Sequence, residues 1–185
     1  EMDEEYDFIY LVSAKHVVWP DFKTRGSAPA GDISVRVNKA GGVGHMTIKT
    51  KASDWIFHED RTVDLCALPF SGYTSVDEYD IGALSLSSAF TTGNKVDVHP
   101  GVGDDVFITG AFVNRAGERR NIPIVRTGNI AAMPEEPVEY ASPKYPAYLV
   151  ETRSLGGISG SPVFLNCHVQ NQGTARFPAA VPLEM

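Results

Sequence analysis

The chain has 185 residues, 43% of them hydrophobic, and its 16 Lys and Arg against 23 Asp and Glu leave a net charge of −7. That length and apolar content suit one globular chain with a sizeable core, while the acidic balance and scattered basic residues argue against nucleic acid as a partner. No apolar run approaches the roughly 20 residues that a membrane-spanning helix needs, and two cysteines, Cys66 and Cys167, are too few for a disulfide framework.

Both cysteines sit in apolar stretches, where a buried free thiol is expected, which favours a reducing, cytoplasmic setting. A secreted or periplasmic one stays open, because the sequence begins at Glu1 without an initiator methionine and a leader can have been removed.

In chain order, residues 1–5 are an acidic lead into an apolar run at residues 7–13, read as a strand covered on both faces. His16 falls where that strand gives way to a short turn or helical segment ending near Trp19-Pro20. Residues 33–38 and 45–50 alternate apolar and polar side chains and predict two half-exposed strands joined by the turn Gly41-Gly42-Val43-Gly44. Those glycines precede a strand and lack the lysine and helix start of a phosphate cradle.

Asp64 stands directly before an apolar strand, Leu65-Cys66-Ala67-Leu68. Asp54, Glu59 and Asp60 compete for the same role, but only Asp64 is placed to be buried against His16. His58, between Phe57 and Glu59, reads as a solvated loop histidine. His45, His99, His168 and the cysteines do not fall at zinc-ligand spacings, so neither metal nor cofactor is expected.

Residues 71–90 connect two lobes whose boundary falls near residues 88–95. Strands are predicted at residues 95–99, 105–112, 122–133 and 147–151. Between the last two, residues 134–146 carry four prolines and read as a loop.

The apolar run at the far end is preceded by Leu155-Gly156-Gly157-Ile158-Ser159-Gly160-Ser161-Pro162. Glycines on both sides of Ser159 free the backbone to turn its amides toward one point in front of the hydroxyl, as an oxyanion hole requires. A plain glycine-rich β-turn has the same composition. What separates the two readings is the company Ser159 keeps: a histidine, then an acid, then the serine, in the order His16, Asp64, Ser159, which is the chymotrypsin order of a catalytic triad.

On these residues the chain resembles the trypsin-like (chymotrypsin-fold) serine peptidases. Ser13-Ala14-Lys15-His16 matches the family's Thr-Ala-Ala-His, Asp64-Leu65-Cys66-Ala67-Leu68 its Asp-hydrophobic-Ala-Leu, and Gly157-Ile158-Ser159-Gly160-Ser161-Pro162 its Gly-Asn-Ser-Gly-Gly-Pro. Residues 103–110 and 123–130 resemble second-barrel strands of bacterial members, including the high-temperature-requirement proteases.

The resemblance implies an all-β fold of two six-stranded antiparallel β-barrels, residues 1–90 carrying His16 and Asp64 and residues 91–185 carrying Ser159, with the active site in the cleft between them. It also implies an oxyanion hole from the amides of Gly157 and Ser159. Six positions before the serine, Arg153 would line the base of the primary substrate pocket, where it would favour an acidic side chain if it points inward and say nothing if it points to solvent.

Three departures stand out. Ile158 replaces the aspartate that pairs with a freed N-terminus in digestive members. The opening strand of the first barrel is not found ahead of His16, and the substrate-pairing strand expected between Gly173 and Thr174 is not found either. Segments are therefore expected to be omitted from this sequence.

The function expected is that of a serine endopeptidase acting on a protein or peptide substrate, with further domains or a regulatory partner outside this segment. The alternative is a trypsin-like module that cleaves little and serves protein binding or regulation. An esterase-type reading fails because Gly157-Ile158-Ser159-Gly160-Ser161 ends in serine and no suitable acid and histidine pair follows it.

Overall fold

The structure is a computed structural model that describes residues 8–29, 31–72, 76–86, 100–111, 117–138, 146–153, 156–166 and 180–181. Nearly all of its regular structure is β. The chain divides into two compact units, residues 1–83 with 117–121, and residues 84–116 with 122–185.

The first unit contains β1 (Tyr10–Ser13), a single helical turn α1 (Lys15–Val18), β2 (Asp32–Asn38), β3 (His45–Lys51), β4 (Ile56–Phe57) and β5 (Cys66–Pro69). β2 and β3 form an antiparallel hairpin in unbroken register from Asp32 opposite Lys51 to Asn38 opposite His45. Its turn uses left-handed backbone at Gly41, Gly42 and Gly44, which residues with a Cβ adopt only at a cost. β1, β5 and β4 form a separate sheet in that order. Alternation along these strands sends Val37, Ile48, Cys66 and Leu68 inward, where they meet Val18, Trp55, Phe70 and Tyr79 in one core. Fully burying such an aliphatic side chain contributes about 1.5–3 kcal/mol.

Residues 117–121 join this unit although they lie far along the chain. Arg36 Nη2 donates to the carbonyls of Gly117 (2.7 Å) and Glu118 (3.2 Å). Asn38 and Asn121 exchange two hydrogen bonds, Nδ2 to the Asn121 carbonyl and the Asn121 N–H to Oδ1.

The second unit holds β6 (Asp105–Gly110), β7 (Ile124–Ala132), β8 (Leu149–Thr152), β9 (Val163–Leu165) and β10 (Ala180–Val181), paired antiparallel in the order β10-β9-β6-β7-β8. Its core is formed by Val106, Ile108, Ile130, Val163 and Leu165. The predicted strand at residues 95–99 lies outside the described residues.

The two closed six-stranded barrels are not what the described residues form. The sheets have three, two and five strands, and none closes on itself. Among the described residues of the first unit, β2 and β3 pair only with each other, while β1 and β4 both pair only with β5, so no strand links the two sheets into a barrel.

Candidate active site

His16 and Asp64 are brought together by the register of β1 and β5. Ser13, the last residue of β1, lies opposite Cys66, the first of β5, so the chain leaving one strand runs beside the chain entering the other. His16 comes three residues after Ser13 and Asp64 two residues before Cys66. The turn α1 then lifts His16 over the acid, and the Lys15 N–H donates to the Asp64 carbonyl at 3.3 Å.

Both carboxylate oxygens of Asp64 are engaged by His16. The backbone N–H of His16 donates to Oδ1 at 2.8 Å, and the ring Nδ1 lies 2.5 Å from Oδ2. A carboxylate only accepts, so the shared proton belongs on Nδ1, which leaves Nε2 as the unprotonated nitrogen of the neutral ring. The Asp64 side chain is 16% exposed and that of His16 42%, so the acid is sheltered while the ring reaches solvent.

Beneath this pair lies a group that the sequence did not single out. Lys15 is only 2% exposed. Its Nζ donates to the carbonyls of His58 (3.1 Å) and Asp60 (3.3 Å) and stands 5.2 Å from the centre of the Phe22 ring. Burial holds its pKa below the ordinary lysine value, with the nearby Asp64 charge opposing that shift. Lys15 thereby ties the loop ahead of Asp64 to the turn carrying His16. Next to them the buried Cys66 thiol is pushed up to about 12, chiefly by burial and further by the Asp64 charge.

The competing acids have other duties. Asp54 accepts the Lys51 N–H at 2.7 Å, and Asp60 accepts the Thr62 N–H at 2.8 Å, which lowers the Asp60 pKa. Glu59 is exposed. His58 is exposed too, its Nδ1 accepting the Asp60 N–H. Among the described residues no group of three or more His, Cys, Asp or Glu side chains is arranged to hold a metal ion.

Ser159 belongs to the second unit. It sits exposed at the head of a turn closed by the Ser161 N–H donating to the Ile158 carbonyl at 2.9 Å, with Ile158 itself buried. Gly157 (φ 100°) and Gly160 (φ 78°) flank it in left-handed backbone, which a side chain at either position would strain. The turn is pinned to β6, where the Thr109 N–H donates to the Pro162 carbonyl at 3.4 Å and Val163 pairs with Ile108. Gly110 makes the fit close, because a Cβ there would overlap Ser161 Oγ and touch Ile158. No acceptor among the described residues takes the amide N–H of Gly157 or of Ser159.

Arg153 takes the solvent-facing of its two orientations. It is exposed and lines an open cleft of about 420 Å³ with Asp105, Thr127, Asn129 and Glu151. Asp105, Asn129 and Glu151 are neighbours along one row of the sheet and all exposed, so this is its outer face. The opposite face carries a charge that the sequence reading passed over. Arg126 is 9% exposed, in phase along β7 with the buried Ile130.

No protein-family model matches this chain, and no curated protein matches it either.

Proposed function

We propose that the chain is a serine endopeptidase of the trypsin-like kind, its two units the counterparts of that fold's two barrels, working through Ser159, His16 and Asp64. The observation that carries this reading is the doubly hydrogen-bonded His16–Asp64 pair. It fixes the imidazole tautomer and leaves Nε2 ready to take a proton.

In this reading Nε2 removes the Ser159 hydroxyl proton as Oγ attacks the scissile carbonyl carbon. Asp64 stabilises the imidazolium that forms, without itself being protonated. The oxyanion is received by the amides of Gly157 and Ser159, each such donor contributing about 3 kcal/mol of transition-state stabilisation. Collapse of the tetrahedral intermediate breaks the C–N bond. The imidazolium proton goes to the departing amine, and an acyl-Ser159 ester remains for water to hydrolyse by the same steps.

The test is labelling with a fluorophosphonate, which phosphonylates a serine only when a base activates it. Wild-type protein is expected to be labelled at Ser159 and to cleave a casein substrate. Ser159→Ala and His16→Ala should lose turnover by a factor on the order of 10⁶ while keeping the wild-type circular dichroism spectrum. Complete inertness of wild-type protein, or undiminished cleavage by Ser159→Ala, overturns the reading; inertness would favour the binding module.

A further inference from the structure

We infer that Arg126 recognises a carboxylate next to the scissile bond, so that the enzyme prefers substrates whose acyl-side residue is acidic. The inference rests on the peptidase reading above and adds to it a substrate class. Its starting point is an anomaly in the core of the second unit. Both terminal guanidinium nitrogens of Arg126, Nη1 and Nη2, are shut off from solvent and have no hydrogen-bond partner among the described residues.

A guanidinium stays protonated under all ordinary conditions, so it cannot escape burial by becoming neutral. A buried charge without a partner is strongly unfavourable. The described acids of this unit do not relieve it, since Asp104, Asp105, Glu135, Glu136 and Glu151 are all exposed, with Asp105 and Glu151 on the opposite face of the sheet. The planar fork of Arg126 matches the two oxygens of a carboxylate, and a charge-assisted pair gains strength where water is excluded.

Position makes substrate the source of that carboxylate. Val163, Ile108 and Arg126 lie side by side on one row of the inner face, across β9, β6 and β7. Two strand spacings put the Arg126 backbone roughly 10 Å from that of Val163. Val163 follows Ser159 by four residues, and the next row, at Gly110, is covered by Ser161 and Ile158 of the serine turn. Arg126 thus sits on the sheet face against which that turn packs, and its long side chain can span the remaining distance. The substrate side chain closest to the nucleophile is that of the residue whose carbonyl is attacked. Because Nη1 and Nη2 are covered, a ligand must move side chains aside to reach them.

Peptides differing only at that residue test the inference. Wild-type protein should cleave the Glu peptide at least tenfold faster in kcat/KM than the uncharged Gln peptide, and Arg126→Met should bring the ratio close to one. Arg126→Met should also keep its melting temperature, because an unpaired buried charge has been replaced by an apolar chain of similar length. A wild-type ratio near one, or a preference that survives in Arg126→Met, overturns the proposal. Collapse of the Arg126→Met fold overturns it as well, for it would mean that a carboxylate of this same chain already holds the guanidinium. Loss of the peptidase reading shows itself separately, as absence of fluorophosphonate labelling in wild-type protein, and the inference then falls with it.

Discussion

At the scale of single residues, the His16–Asp64 pair depends on neighbours that are themselves unusual. Cys66 follows Asp64 by two positions and is 1% exposed. Its thiol titrates near 12 against an ordinary 9.0, so the native state keeps a proton that the unfolded chain releases above pH 9. The sign follows: stability from this group is intact below about pH 9 and is lost as pH climbs through about 12, by an amount on the order of a few kcal/mol. Urea midpoints measured across that range should fall in the wild type and fall less in Cys66→Ala. Iodoacetamide at about pH 8 should leave Cys66 untouched until the protein is unfolded, because the thiolate is the reacting form.

The two residues missed by the sequence reading differ in how they could have been found. Arg126 shares the parity of Ile124, Gly128 and Ile130 along an alternating strand, so its inward placement was legible, and what obscured it was the expectation that charges face water. Lys15 offered no such signal. Its burial follows from α1, whose single turn directs it beneath His16 toward the His58 and Asp60 carbonyls, and a four-residue turn has no periodicity to read. Arg153 shows the opposite limit, since counting back from Ser159 gave it a position but not a face.

Among the elements, the β2–β3 hairpin fell where alternation placed it, and β6 and β7 fell within the strands predicted at residues 105–112 and 122–133. Closure into barrels had no comparable local signal. It depends on which strand edges pair, and that choice is made by contacts remote in sequence.

Two glycines in the second sheet separate element-level stability from site geometry. A Cβ at Gly128 would run into the Glu151 carbonyl oxygen, a backbone atom of β8 that cannot swing away. Gly128→Ala should therefore lower the unfolding free energy by roughly 1–3 kcal/mol, read as a lower denaturation midpoint. At Gly110 the obstacle is Ser161 Oγ, the end of a short side chain that can rotate. Gly110→Ala should leave the midpoint nearly unchanged but slow fluorophosphonate labelling, and adding Ser161→Ala should restore part of the rate by removing the Oγ overlap while the tight contact with the Ser161 Cβ remains.

The whole molecule is threaded rather than simply divided. The chain leaves the first unit after Ala83, returns for residues 117–121 and leaves again. That return is held by Arg36 and Asn38 of β2, by Asn121 Nδ2 donating to the Arg36 carbonyl at 2.8 Å, and by Arg120, whose Nη1 donates to the Gly42 carbonyl at 3.3 Å. A protease site introduced at residues 87–99 should give two bands on a denaturing gel after cleavage, yet one peak on native gel filtration. Separation of the fragments under native conditions would show that the returning segment does not hold.

The same threading bears on anyone who would recombine this protein. Transplanting the His16 half onto another scaffold by a single crossover near residue 84 would strip Arg36 and Asn38 of the acceptors and donors at residues 117, 118 and 121, which would stay behind. A working graft needs a second, tiny insert copied from the other half, so the modules that can be exchanged here are not the ones a linear map would draw.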